Sequence, residues 1–116
     1  MYVKIIVMSE DFYCPIYSVT KLIGGKWKMP VMWMIQAGPK RFGELRRALT
    51  PITEQMLTKQ LRELENHNLI KRKDFQTIPP RVEYSLTTFG KSLSGIFNQY
   101  QDFGEQHKKE ILKLIS

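Results

Sequence analysis

The elements read along the chain are a short helix, a tight turn, a longer amphipathic helix, an alternating hairpin and an apolar helical tail. This order predicts a mainly α fold with a small β-hairpin, a winged helix-turn-helix with extra terminal dimerisation helices. Three observations carry it. Leu57, Leu61 and Leu64 form an apolar seam opposite a polar face. Val82, Tyr84 and Leu86 alternate with Glu83 and Ser85. Helical apolar spacing recurs on both sides of this unit. One domain over 1–116 is expected, with the helix pair at about 43–67, the wing at about 70–86, and dimerisation segments at about 1–23 and 88–116.

The first helix, 16–23, is expected to place Ile16, Val19, Leu22 and Ile23 on one side, with Gly24-Gly25 ending it. A second covers 27–36, with Trp27, Val31, Met34 and Ile35 at apolar spacing. Pro30 fits it within the first turn, where a missing N–H costs little. Ala37-Gly38-Pro39 closes that element, and Phe42 anchors the start of a third helix, 43–49, through Leu45 and Leu49. After the turn Thr50-Pro51-Ile52-Thr53, Thr53 caps the clearest helix, and Glu54 suits the positive end of its dipole. His67-Asn68 ends that helix, and Leu69 folds back onto the core. Strands follow at 70–75 and 82–86, separated by the proline-containing loop 76–81. Thr87 or Thr88 caps a long C-terminal helical region that Gly104 bends or splits.

A chain of 116 residues that is 42% hydrophobic and 25% charged can build a core and is not a disordered tail. Its net charge of +7 is uneven: residues 21–91 hold 14 basic and 6 acidic side chains, a net of +8, while both ends are near neutral. The single cysteine, Cys14, excludes an internal disulfide and a Cys-rich zinc site. Val3 to Met8 is too short to span a bilayer and precedes no clear cleavage region, so a cytoplasmic protein without membrane association is expected. His67 and His107 stand far apart without ligand pairs. The chain carries no phosphate-binding glycine loop, and its serines have no evident base. No catalytic residue, metal or cofactor is expected, and no small-molecule effector can be named.

Basic residues on a small protein are often no more than a solvated surface. Here they surround a helix pair and a hairpin, and that placement points to double-stranded DNA. The major groove admits a helix, and each base pair presents its own donor and acceptor pattern there. Gln55, Lys59, Arg62 and Asn66 fall on the face of 54–67 opposite the leucines, with Thr58 beside them. Gln55 and Arg62 suit base edges, Thr58 and Lys59 suit bases or phosphates, and Thr53 opens the same helix. Lys40, Arg41, Arg46 and Arg47 suit backbone clamps. Lys71, Arg72, Lys73 and Arg81 flank the wing loop, with Arg81 the best choice for a minor groove. Two copies would read half-sites about 34 Å apart in a pseudo-palindromic operator. Phe97, Tyr100, Phe103, His107, Ile111, Leu112 and Ile115 are candidates for the homodimer seam, although part of that face must pack on its own core.

Several stretches resemble the HxlR-type regulators, winged-helix proteins close to the MarR group. They are Cys14-Pro15, Ile23-Gly24-Gly25-Lys26-Trp27 and Gly38-Pro39-Lys40-Arg41-Phe42-Gly43-Glu44-Leu45-Arg46-Arg47. They continue with Ile52-Thr53-Glu54-Gln55-Met56-Leu57-Thr58, Gln60-Leu61-Arg62-Glu63-Leu64-Glu65, and Pro79-Pro80-Arg81-Val82-Glu83-Tyr84-Ser85-Leu86-Thr87 with Gly90. The resemblance runs from about residue 14 to residue 107, and Pro30 departs from the family pattern. It implies a homodimeric, sequence-specific transcription factor, repressor or activator, joined through its terminal helices. It also implies a response to oxidants or electrophiles at Cys14, which occupies the place of a sensor cysteine. A buried apolar cysteine at a dimer contact is the alternative for Cys14. A dimeric interaction module of the same fold that does not read DNA is the alternative for the whole protein.

Overall fold

A computed structural model describes Ser9 and residues 13–115. The apolar segment Val3 to Met8, part of the expected N-terminal dimerisation region, lies outside the described residues. The elements are α1 (Pro15–Ile23), α2 (Lys28–Gln36), α3 (Phe42–Ala48), α4 (Glu54–Asn66), β1 (Ile70–Asp74), β2 (Val82–Leu86), α5 (Thr88–Lys91), α6 (Ser94–Gln106) and α7 (Lys108–Ile115). The fold is mainly helical, with an antiparallel hairpin registered from Ile70↔Leu86 to Asp74↔Val82.

Local chemistry sets each boundary. Pro15 opens α1, and the Gly24 N–H closes it on the Thr20 carbonyl at 2.8 Å, after which Gly25 turns the chain through a left-handed φ of +95°. Pro30 is the third residue of α2, where the N–H would have had no helical acceptor. Helix α3 starts at Phe42, one residue before its expected start, because the Arg41 N–H donates to Glu44 Oε1 at 2.8 Å and fixes the first turn there. At the head of α4, Thr53 Oγ1 accepts from the Met56 N–H at 3.1 Å. At its tail Asn68 adopts a φ of +58°, and the N–H groups of Asn68 and Leu69 return to the carbonyls of Glu65 and Leu64, a Schellman stop. That turn folds Leu69 into the core as expected.

The core gathers Val31, Met32 and Ile35 of α2, Leu45 of α3, the α4 leucines Leu57, Leu61 and Leu64, Leu69, Ile70, Tyr84, Leu86 and Phe97. Lys40 pairs with Tyr84 through two backbone hydrogen bonds, its N–H donating at 2.9 Å and its carbonyl accepting at 2.8 Å. It adds a one-residue third strand on the edge of β2 away from β1. Thr87 caps α5 and donates its hydroxyl to the Asn68 carbonyl at 2.6 Å. This brings α5 so close to the hairpin that a Cβ on buried Gly90 would collide with the Leu69 carbonyl.

Three expectations need correction. The C-terminal region is not one helix bent at Gly104, which lies within α6; the break falls at His107, between α6 and α7. Ile16 does not join the apolar face of α1 on the core but is exposed, because only the later turn of that helix, with Val19, Leu22 and Ile23, reaches the core. Phe97, expected at the dimer seam, is only 2% exposed and fills the core against α2, so it is spent within its own chain. Among the described residues, no helix is long and apolar enough to cross a membrane.

Candidate nucleic-acid interface

Burying three leucines of α4 fixes which way its polar side chains face. Leu57, Leu61 and Leu64 are no more than 1% exposed, so Gln55, Lys59 and Arg62, roughly opposite at 100° per residue, stand in solvent with Thr58 half-buried beside them. Gln55, Thr58, Lys59 and Arg62 line one shallow depression, rimmed by Glu54 and Glu63. The sequence had grouped these four side chains, and the structure brings them together.

Both rim carboxylates are engaged from neighbouring helices. Arg46 Nη1 of α3 donates to Glu54 Oε1 at 2.8 Å, and Lys28 Nζ of α2 donates to Glu63 Oε1 at 2.9 Å. These bonds clamp the helix pair and hold α4 against α2. The Lys28 hydrogen bond keeps the Glu63 carboxyl below its ordinary value; burial opposes it, and the charges of Lys28 and Lys59 add smaller lowering effects. Glu54 is therefore held by Arg46, and Arg46 is a strut as well as a surface cation. Thr53 uses its oxygen as the cap, which leaves its hydroxyl hydrogen for an acceptor outside the helix. Arg41 and Arg47 are exposed at the two ends of α3. Lys40 is drawn inward by its strand pairing, and its ammonium donates to the Gly38 carbonyl at 3.3 Å.

The hairpin register sorts the wing by face. Ile70, Tyr84 and Leu86 point into the core, so Lys71, Lys73 and Phe75 share the outer face with Ser85, Glu83 and Arg81. Arg81 stands across from Phe75, its guanidinium 4.1 Å from the ring centroid, and Lys73 Nζ lies 4.6 Å from the same ring. Arg81 also donates from Nε at 3.0 Å and from Nη2 at 2.9 Å to Glu83 Oε2. Lys71 lines a different depression, with Gln36, Ser85, Lys91 and Ser94, and is not brought to the α4 face. Phe75, Glu63 and Lys28 were not singled out from the sequence. A period-two count back from the prolines would have paired Phe75 with Arg81, but the Lys28–Glu63 contact depends on how α2 crosses α4.

Away from this surface, Cys14 is the half-buried N-cap of α1 and makes no side-chain capping bond. Tyr100, Phe103, Leu112 and Ile115 are exposed on α6 and α7, Ile111 is half-buried, and His107 lies against Phe103 with ring centroids 4.5 Å apart.

A family model described as HxlR-like helix-turn-helix matches residues 22–111. The uncharacterized HTH-type transcriptional regulator YdeP of Bacillus subtilis (strain 168) is 45% identical over 107 residues, which are 91% of this chain and 84% of that protein. The solved structure of the redox regulator HypR in its oxidized form superposes with a TM-score of 0.78 at 45% identity, covering 80% of this chain and 96% of HypR. Its reduced form gives 0.81 at 41% identity, covering 86% and 99%.

Proposed function

The chain belongs to the HxlR-like helix-turn-helix family, a family of DNA-binding transcriptional regulators, and from that premise we propose a homodimeric repressor that reads a pseudo-palindromic operator. The observation that carries this reading is the single face formed by Gln55, Thr58, Lys59 and Arg62 on a helix whose other side is locked by three buried leucines. Gln55 and Arg62 take base edges in the major groove, while Thr58 and Lys59 take bases or phosphates. Arg41, Arg47 and the wing cations Lys71, Lys73 and Arg81 neutralise phosphates on either side, with Lys40 and Arg46 supporting them from shorter tethers. Two copies join through the exposed apolar side chains of α6 and α7 and through α1, which sets the two reading helices one duplex turn apart. A DNA-bound regulator works in the cytoplasm.

Cys14 is the site at which oxidants or electrophiles release the operator. Cys14 stands half-buried at the N-terminus of α1 with no capping bond on its side chain, and HypR, 45% identical in its oxidized form, is itself described as a redox regulator. With one cysteine per chain, two Cys14 thiols give up two electrons and two protons to the oxidant and form an intersubunit disulfide, or one Cys14 thiol and one small thiol give up the same two electrons and two protons to it and form a mixed disulfide.

The test is a duplex titration against DNA selected from a random pool, with and without diamide. Sequence preference and a steep salt dependence are expected, with diamide releasing the wild type and sparing Cys14→Ser. Equal affinity for unrelated duplex at physiological salt would overturn the specific-regulator reading, and failure to bind any duplex would leave the interaction-module alternative. Release of Cys14→Ser by diamide would remove Cys14 as the sensor.

A further inference from the structure

Every wing pair, from Ile70↔Leu86 to Asp74↔Val82 and on to Phe75 and Arg81, is centred on position 78, so Ile78 stands at the apex of the hairpin. It is the one large apolar side chain that is 100% exposed among the described residues. The apex Gln76-Thr77-Ile78-Pro79-Pro80 carries no charge, whereas Lys71, Arg72, Lys73 and Arg81 stand behind it. Arg81 does not reach forward past the apex. Both of its bonds go to Glu83, which lies further from the apex than Arg81 itself, and its guanidinium is stacked on Phe75. The cations of the wing are therefore shoulders, and the part that projects beyond them is an apolar knob. The apex is itself tied down, with the Gln76 N–H on Asp74 Oδ1 at 2.8 Å and the Thr77 hydroxyl on the Pro79 carbonyl at 2.9 Å.

We propose that the wing enters the minor groove through Ile78 rather than Arg81, and that Ile78 makes the protein discriminate against G·C pairs flanking its operator. The inference rests on the DNA-binding reading above. A basic shoulder on either side of an apolar tip complements a duplex, since the groove is rimmed by phosphates and walled by sugars. The floor differs by sequence. A·T pairs present only acceptors there, whereas G·C adds the guanine N2 amine, which fills the floor and is a donor that an isoleucine cannot satisfy. Seating Ile78 over guanine costs both space and an unpaired donor.

The experiment uses the full chain and a duplex recovered by selection on the wild type, rebuilt with the wing-flanking pairs as A·T, I·C or G·C. Inosine lacks the N2 amine, so I·C keeps an A·T-like minor groove while presenting a G·C-like major groove. The wild type should bind the A·T and I·C versions alike and the G·C version about tenfold more weakly. Ile78→Ala should remove that difference and leave the salt dependence unchanged; a side chain so exposed has no part in folding. Arg81→Ala should weaken all three about equally and reduce the salt slope by about one, with the preference retained. Preference that survives in Ile78→Ala, or is lost in Arg81→Ala, or is absent from the wild type, overturns the inference while the DNA reading stands. Selection that recovers no duplex overturns both.

Discussion

Arg62 and Glu63 are neighbours in sequence and face different partners, and the difference decides what each substitution should do. Arg62 is exposed on the polar face of α4 and forms no ion pair among the described residues, so Arg62→Ala should leave the melting temperature nearly unchanged. Against selected duplex it should cost about 1–3 kcal/mol and relax specificity at one position of each half-site, as a titration against single-base operator variants will show. Arg41→Ala should instead weaken binding to all duplexes alike. Glu63 turns to Lys28, whose hydrogen bond holds its carboxyl below the ordinary value of 4.5. A lowered folded value means that the bridge stabilises the protein fully above the ordinary carboxylate range and is lost as pH falls through the folded value. Wild type should therefore exceed Glu63→Gln in stability at neutral pH, and the gap should close below about pH 4.5 in denaturant titrations. The exposed polar face of α4 was legible because a helix period assigns faces from local spacing alone. Glu63 was not, because its partner is 35 residues away.

At the scale of elements, α4 is the seam of the core and, in the proposed function, the reading helix, so its buried and exposed faces can be tested separately. Leu61→Ala should destabilise by about 2–5 kcal/mol in urea unfolding, since Leu61 is 1% exposed and the cavity has few ways to collapse. The m-value should be unchanged, and base preference should survive wherever the variant is still folded. The helix pair, the Thr53 cap, the hairpin and the return of Leu69 could all be read from the chain, because capping residues and periodicity act within a turn or two. The C-terminal region could not. Gly104 was the obvious breaking point, yet α6 runs through it and stops at His107, whose ring lies against Phe103. A glycine lowers helix stability by only about 1 kcal/mol, which is too little to fix a boundary that packing can shift. The strand stub at Lys40 was equally hidden, since a single residue carries no period.

Across the whole molecule, the distribution of charge and apolar surface separates two tasks. The excess of basic residues lies between 21 and 91, around the helix pair and wing, while exposed Tyr100, Phe103, Leu114 and Ile115 cluster on α6 and α7. On the proposed dimer, the wild type should sediment as a dimer and Phe103→Glu as a monomer at the same concentration. The substitution should lower operator affinity much more than the melting temperature, because Phe103 lies outside the core. Phe97 shows why such a surface is hard to read from sequence: helical spacing makes it equivalent to its neighbours, and only packing against α2 reveals that it is consumed internally. The sequence by itself determined the element order, the polar face of α4, the caps and the concentration of positive charge, all of which follow from short-range periodicity and composition. Tertiary structure alone decided that Arg81 folds back onto Phe75 and Glu83, that Ile78 projects in its place, that Lys28 braces Glu63, and that Phe97 is core and Tyr100 surface. Those outcomes depend on which groups meet across elements, and no local pattern encodes that meeting.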